Sequence, residues 1–231
     1  MSEYLANRRP WAPLALLAVA CLGCGTGAYE ERLNSRGRRL SQDSVFNRML
    51  PPVTLPGTSF SVRLPTSFSA PPLPGDTDPR RLQSPAVAVP DLKLTYEGTI
   101  VDGGGGKIPF YCYLGAADTK SSTRSPTDWL VPNLRSKFPN STVGPEAVRC
   151  ETPVGGDAEW QKARSIGDQE FYYVDAGGSG SYRQMEGLLE FYFRREGNFT
   201  VFIVWRMPTS IEANVGLGEW APRVAGSLTL Q

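Results

Sequence analysis

The chain contains no histidine. That absence removes every mechanism in which an imidazole moves the proton, Ser-His-Asp and Cys-His arrangements included, and with it the usual His-containing zinc and iron sites. An excess of charge of one sign is also missing. Twenty-four Lys and Arg stand against 23 Asp and Glu, a formal net charge of +1. Without a basic surplus there is no counterion-release footprint, so no nucleic-acid partner is expected. What chemistry remains is carboxylate-pair, lysine or all-oxygen metal chemistry. No motif announces any of these, and neither a cofactor nor a metal site is expected. The 40% apolar and 10% aromatic content of the 231 residues suffices for one good-sized domain with appendages.

Long apolar runs are absent too. Arg8 and Arg9 precede Pro13 to Leu22 (PLALLAVACL), a run of ten residues that is too short for a span of roughly 20 but suited to the apolar region of a signal peptide. The run ends in CLGCG, where Gly23-Cys24 resembles the cleavage and lipidation point of a bacterial lipoprotein signal. The resemblance implies a signal peptide over 1–23, lipid on Cys24 and tethering to a membrane of the cell envelope, facing the periplasm or the cell surface. Cys21 is the alternative lipidated residue. Ala18-Val19-Ala20 offers ordinary signal cleavage as a further alternative.

Of the four cysteines, Cys112 and Cys150 then remain as an even pair in an oxidising compartment. A disulfide between them closes a loop of about 38 residues and contributes on the order of 3–4 kcal/mol in the chain-entropy model. The alternative is two reduced cysteines packed as small apolar groups.

Residues 24–57 read as an anchor-proximal helix or spacer, with Tyr29, Leu33, Leu40, Val45, Phe46, Met49 and Leu50 at loose helical spacing interrupted by Gly37, and arginines at 32, 36, 38 and 39. These arginines face either anionic headgroups or solvent. The globular domain is expected over 58–231. Ten of the twenty prolines fall in 51–90, so 70–90 reads as a Pro-rich excursion. Inside that region Thr58 to Leu64 alternates as a strand. Lys93 to Val101 and Lys107 to Leu114 read as strands joined by a flexible tip, Asp102 followed by four glycines. A phosphate cradle is excluded there because a strand, not a helix, follows. Thr127 to Phe138 reads as a short helix. Trp160 to Ile166 and Glu170 to Asp175 read as two strands separated by a Gly167-Asp168 turn, followed by a loop over Ala176 to Ser181.

The densest apolar stretch is Glu186 to Met207 (EGLLEFYFRREGNFTVFIVWRM), two strands joined at Gly197-Asn198. A two-residue turn puts Leu189, Phe191, Phe193, Phe202 and Val204 on one face and Glu190 beside Ile203 and Trp205 on the other. A three-residue loop from Glu196 instead gathers Leu189, Phe191, Phe193, Val201, Ile203 and Trp205 together, and is preferred because it separates charge from apolar surface. Short helices follow, with Pro222 expected in the first turn of the second. The fold class is therefore α+β, a mainly antiparallel sheet with a few short flanking helices.

SFSVRLPTSF at 59–68 resembles the opening strand of PsbP-like domains, and VFIVWRMP at 201–208 with the helix after it resembles how that fold closes. The overall layout resembles small lipoproteins of planctomycete-type bacteria. Both resemblances imply an accessory or binding protein on a membrane surface, with no catalytic residue set to carry over and an envelope protein as the possible partner. The alternatives are a self-associating structural envelope protein and an enzyme using carboxylates, for which Glu170 and Glu190 are the candidates.

Overall fold

Period-two alternation dominates the chain after residue 90, and strands dominate its structure. A computed structural model describes residues 27–37, 40–41, 44–68, 91–119, 132 and 143–230. The signal-like stretch 1–23, Cys24, the Pro-rich excursion 70–90 and all but one residue of the expected helix 127–138 lie outside the described residues.

Six strands form one sheet: β3 (Leu92–Val101), β4 (Lys107–Asp118), β5 (Val143–Glu151), β6 (Asp157–Val174), β7 (Gly180–Glu196) and β8 (Phe199–Pro208). Their order is β3-β4-β8-β7-β6-β5, with every neighbouring pair antiparallel. Three short strands, β1 (Val53–Thr54), β2 (Phe60–Val62) and β9 (Thr229–Leu230), form a second sheet that joins the C-terminus to the start of the domain. After β8 come a 3-10 turn at Thr209–Ile211, a short helix at Glu212–Val215 and a terminal helix at Leu217–Gly226. The expected class, α+β with a mainly antiparallel sheet and few short helices, is what the structure has.

β7 and β8 lie at the centre and are covered on both faces. Residues 187–193 and 200–208 are buried without a break, which is why they read as a nearly continuous apolar run. One face packs Phe110, Cys112, Tyr192, Ile203 and Trp205 under the terminal helix and the β2 region. Phe68 keys into it with ring centroids 5.0 Å from Phe110 and 5.7 Å from Trp205. The opposite face packs Tyr111, Tyr113, Phe171, Leu189, Phe191 and Val204. The β6–β7 hairpin adds Phe171 to it, and Met185 packs against it. Beyond Gly187, the last residue of β7 to pair with β8, this hairpin continues as an arm, and Val174 of β6 pairs with Lys107 of β4. Gly167 faces Gly187 at the root of the arm, and a Cβ on Gly187 would fall 2.6 Å from the Gln169 side chain that lies across it.

Four expectations change. Residues 157–174 are one strand, with Gly167 and Asp168 paired inside the ladder rather than turning. The arm lengthens β7 upstream to Gly180, six residues before Glu186. The β7–β8 register pairs Glu196 with Phe199, so the turn is the two-residue Gly197-Asn198. Gly197 has φ +59°, as glycine does at the first central position of a type II′ turn. The three-residue loop loses because both faces are covered and the charge it would have expelled, Glu190, is paired in place. Finally, Pro222 sits inside the terminal helix. The packed unit also reaches upstream of Thr58, since Phe46, Met49 and Leu55 belong to the first-face core.

Gly226 ends the terminal helix where it meets β5. A Cβ there would lie 1.8 Å from the Glu151 carbonyl oxygen, and backbone cannot move aside as a side chain can. Gly226→Ala is expected to destabilise the domain by about 1–3 kcal/mol, read as a lowered urea midpoint at unchanged slope. A midpoint equal to that of the native chain would contradict this packing.

Candidate functional site

Glu170 and Glu190 are the sequence's candidates for acid–base work, and the structure separates them. Arg164 is the β6 partner of Glu190, and Glu170 stands six residues further along β6. At about 3.3 Å per residue that offset is on the order of 20 Å, well outside the roughly 5–10 Å over which two carboxyls share one bond-breaking step. Glu170 is exposed. Glu190 is 1% exposed and its Oε2 lies 3.2 Å from Lys162 Nζ and 3.5 Å from Arg164 Nη1. Arg164 in turn donates to both carboxylate oxygens of Glu212, at 2.9 and 2.7 Å. The chain Lys162–Glu190–Arg164–Glu212 fastens two central strands to the short helix. Such a buried pair is costly to break from one side. Burial, with Glu190 alongside, pushes the Tyr192 phenol well above its ordinary value.

The opposite face holds one buried cation. Arg206 is 4% exposed; its Nε donates to Gln169 Oε1 at 3.0 Å and its Nη2 donates to the Glu170 carbonyl. The guanidinium lies 4.4 Å over the Phe171 ring and 5.6 Å from that of Tyr111. Arg206 is also hydrogen-bonded to Tyr113, whose phenol burial pushes up to about 12. These contacts pin the arm, which supplies Gln169, Glu170 and Phe171, to the central strand β8. The signal for this residue is plain in retrospect: a single arginine inside VFIVWRMP must find partners wherever the strand is buried.

Cys112 and Cys150 do not form the expected disulfide. Both are free and fully buried. They lie on β4 and β5, four strand positions apart in the sheet, a separation on the order of 19 Å at about 4.8 Å per strand. Bridging needs Cα atoms within about 7 Å. Burial pushes the Cys112 thiol well up and the Cys150 thiol up to about 11, so both behave as small apolar groups.

At the end of the arm two hairpin tips meet. Asp102, between β3 and β4, accepts at Oδ1 from the Gly104 N–H (2.9 Å) and the Gly106 N–H (2.7 Å), and at Oδ2 from the Tyr173 hydroxyl (2.9 Å). The glycine run therefore turns its amides on its own aspartate. Gly106 is required, since a Cβ there would lie 1.8 Å from the Tyr173 hydroxyl. In the second tip, Asp175 Oδ1 accepts from the Ser179 N–H at 2.8 Å. The stretch expected to be a loose loop is thus a closed hairpin turn. Arg183 stacks 3.7 Å over the Tyr173 ring, and Tyr172 meets Tyr182 edge-to-face at 5.1 Å. Around this clasp Tyr182 is 46% and Val101 61% exposed, and Arg183 is exposed. The arm end thus presents aromatic, aliphatic and guanidinium surface on a fixed support. Cys24 and its alternative Cys21 lie outside the described residues, and among the described residues no group of three or more Cys, Asp and Glu side chains is placed to hold a metal ion.

No protein-family model matches the chain, and no curated protein matches it in sequence. Among solved structures it is similar to the solution structure of cyanobacterial PsbP (CyanoP) from Synechocystis sp. PCC 6803, with a TM-score of 0.39, 7% identity, and 80% of this chain and 94% of that one covered. It is also similar to the Saccharomyces cerevisiae Ran-binding protein Mog1p, with a TM-score of 0.39, 14% identity, and 78% and 94% covered. Both likenesses concern the general layout of sheet and helices.

Two outcomes test this geometry. The hydrogen bonds from Gly106 and Tyr173, chiefly, hold the Asp102 carboxyl below its ordinary value. A depressed carboxyl stabilises above its unfolded pKa and ceases to do so as pH falls through the folded one. The melting temperature of the native chain is therefore expected to exceed that of Asp102→Asn at pH 7, and the gap to close below about pH 4. A gap independent of pH would contradict the clasp. For the thiols, labelling without reductant is expected to modify Cys112 and Cys150 in denaturant and neither in the folded protein. Thiols that label in denaturant only after reduction would restore the bridge.

Proposed function

We propose that this chain is an exported, lipid-anchored, non-enzymatic binding or accessory protein of the bacterial cell envelope, which engages a protein partner through the end of the β6–β7 arm. The observation that carries the reading is the contrast between its two kinds of polar residue. The buried ionisable groups, Glu190 and Arg206, are engaged in holding layers together. On the projecting, clasped hairpin exposed Tyr182 and Arg183 stand beside their ring partners Tyr172 and Tyr173. Tyr and Arg are the residues that most often dominate protein interfaces, because they bring large contact area and directed hydrogen bonds at small entropic cost. A support fixed by Asp102 and Tyr173 lowers that cost further.

Lipid on Cys24 would fix the protein at a membrane surface and convert a weak encounter into a local one through effective concentration. The residues between Cys24 and the packed core supply the reach.

The reading is tested by comparing proteins cross-linked to the native chain in the envelope with those cross-linked to Tyr182→Ala/Arg183→Ala. A specific partner is expected to fall by about tenfold or more in the variant, as loss of about 1.4 kcal/mol or more implies, while the variant keeps the far-UV circular dichroism spectrum of the native fold. Recovery equal to that of the native chain would reject the arm as the interface. Mass spectrometry of the mature N-terminus tests the anchor independently. An acylated Cys24 is expected, and an unmodified peptide beginning at Cys21 would reject it.

A further inference from the structure

The helix over residues 27–37 buries nothing. All eleven of its residues are exposed, yet it carries Tyr29 at 63% and Leu33 at 50% exposure, and Leu40, in the next described helical residues, is 63% exposed. Three large apolar side chains left in water within twelve residues is the densest such grouping among the described residues, whose other exposed large apolar groups, Val101, Val154, Tyr182 and Leu230, stand far apart in the sequence. An isolated helix of this length is also marginal in water, where helices below about 12–15 residues seldom hold without a packed face. Something outside the domain is needed to cover it.

The arrangement of side chains says what. At about 100° per residue, Tyr29 and Leu33 stand roughly 40° apart around the helix, and Leu40 follows in the next described helical residues. Arg36 and Arg32 follow at one border of this stripe, roughly 20° and 60° from Tyr29; Glu30 stands at the other border, roughly 60° from Leu33, and Glu31 lies on the opposite side. Over residues 27–41 four arginines face two glutamates. An apolar stripe with guanidiniums along one border is the pattern of a helix lying in the plane of a lipid surface, its rings and aliphatic chains at the headgroup boundary and its arginines reaching anionic headgroups. A partner helix in a coiled coil would need a stripe continued over several heptads. This one ends by residue 44, where the chain enters the core at Phe46 and Met49.

We propose that the helix at 27–37 docks on an anionic bilayer, with Tyr29 and Leu33 inserted at the headgroup boundary, Leu40 following them, and Arg32 and Arg36 on the phosphates. The proposal deepens the anchored reading, because the helix begins three residues after Cys24 and an acylated Cys24 would deliver it to the membrane. A single acyl chain binds membranes reversibly, and a second contact makes the attachment stable. A helix lying flat beside the lipid also sets the height and tilt of the domain, which a flexible tether would leave free.

The test uses the mature chain from residue 24 with Cys24→Ser, so that no lipid is attached, and vesicles of phosphatidylcholine with or without about 30% phosphatidylglycerol, near the anionic content that draws basic segments to a surface. Flotation is expected to recover this protein with the anionic vesicles and far less with neutral ones, and far-UV circular dichroism to gain helix on binding. Tyr29→Ser/Leu33→Ser is expected to weaken binding by about tenfold or more, and Arg32→Glu/Arg36→Glu to abolish it, both with unchanged melting temperatures because neither pair touches the core. Absence of binding to anionic vesicles, or binding indifferent to both pairs, would overturn the proposal. So would a soluble dimer that Leu33→Ser dissociates, which would make a second copy the occupant. Vesicle binding that survives where mass spectrometry finds Cys24 unmodified would support the helix and reject only the acyl anchor.

Discussion

The register of β7 against β8 is the constraint on which the other features depend. Side chains alternate across a strand, so a slip of one residue would exchange the two faces of one central strand. With Glu196 opposite Phe199, Glu190 falls between Arg164 and Trp205 on one face, and Arg206 between Leu189 and Tyr111 on the other. Each face of the sheet then holds one buried charge, and each charge is met by groups that the neighbouring strands bring to it. In the slipped register one strand would present its charges and its apolar groups to the wrong layers. The turn that sets all this is two residues long and needs a glycine in the left-handed region at its first position.

From that register follows the division of labour between the layers. The terminal helix and the β1-β2-β9 sheet cover the face bearing Glu190, with the Ser227 hydroxyl accepting from the Arg63 N–H at 2.8 Å to join the last helix to the first strands. To the face bearing Arg206 the sheet's own arm adds Phe171, with Met185 packed against it. That solution needs a hairpin able to leave the sheet plane, and the facing glycines Gly167 and Gly187 at its root supply a place where no side chains resist the change. It also needs the arm to be held once it arrives. Arg206 holds its middle and the Asp102–Tyr173 hydrogen bond its end. Exposed Tyr182 and Arg183 thereby ride on a supported surface.

Much of this was legible from the residues. Alternation located β2, β3 and β4, the clustering of strands with few flanking helices pointed to an antiparallel α+β domain, and the density of 186–207 identified the central hairpin. Three things were not legible, each for a physical reason. Gly167-Asp168 looks like a turn because local propensity favours one, but tertiary pairing with Gly187 keeps the strand continuous. The three-residue loop at Glu196 looked better because it segregates charge, a rule that assumes one wet face; a sheet covered on both faces pairs its charges instead. Cys112 and Cys150 invited a bridge by number and compartment, whereas strand order, which sequence does not display, puts them far apart. Arg206 and Asp102 show how polar residues in unexpected company mark structural joints: an arginine in an apolar strand and an aspartate heading a glycine run were each visible, but their partners come from distant segments.

The central claim, that the two-residue turn fixes which residues share each face, is tested most directly by cross-strand nuclear Overhauser contacts between β7 and β8 in solution. The account predicts backbone contacts that pair Phe191 with Val204 and Glu190 with Trp205. Contacts pairing Phe191 with Ile203 would place the strands in the three-residue register and contradict it.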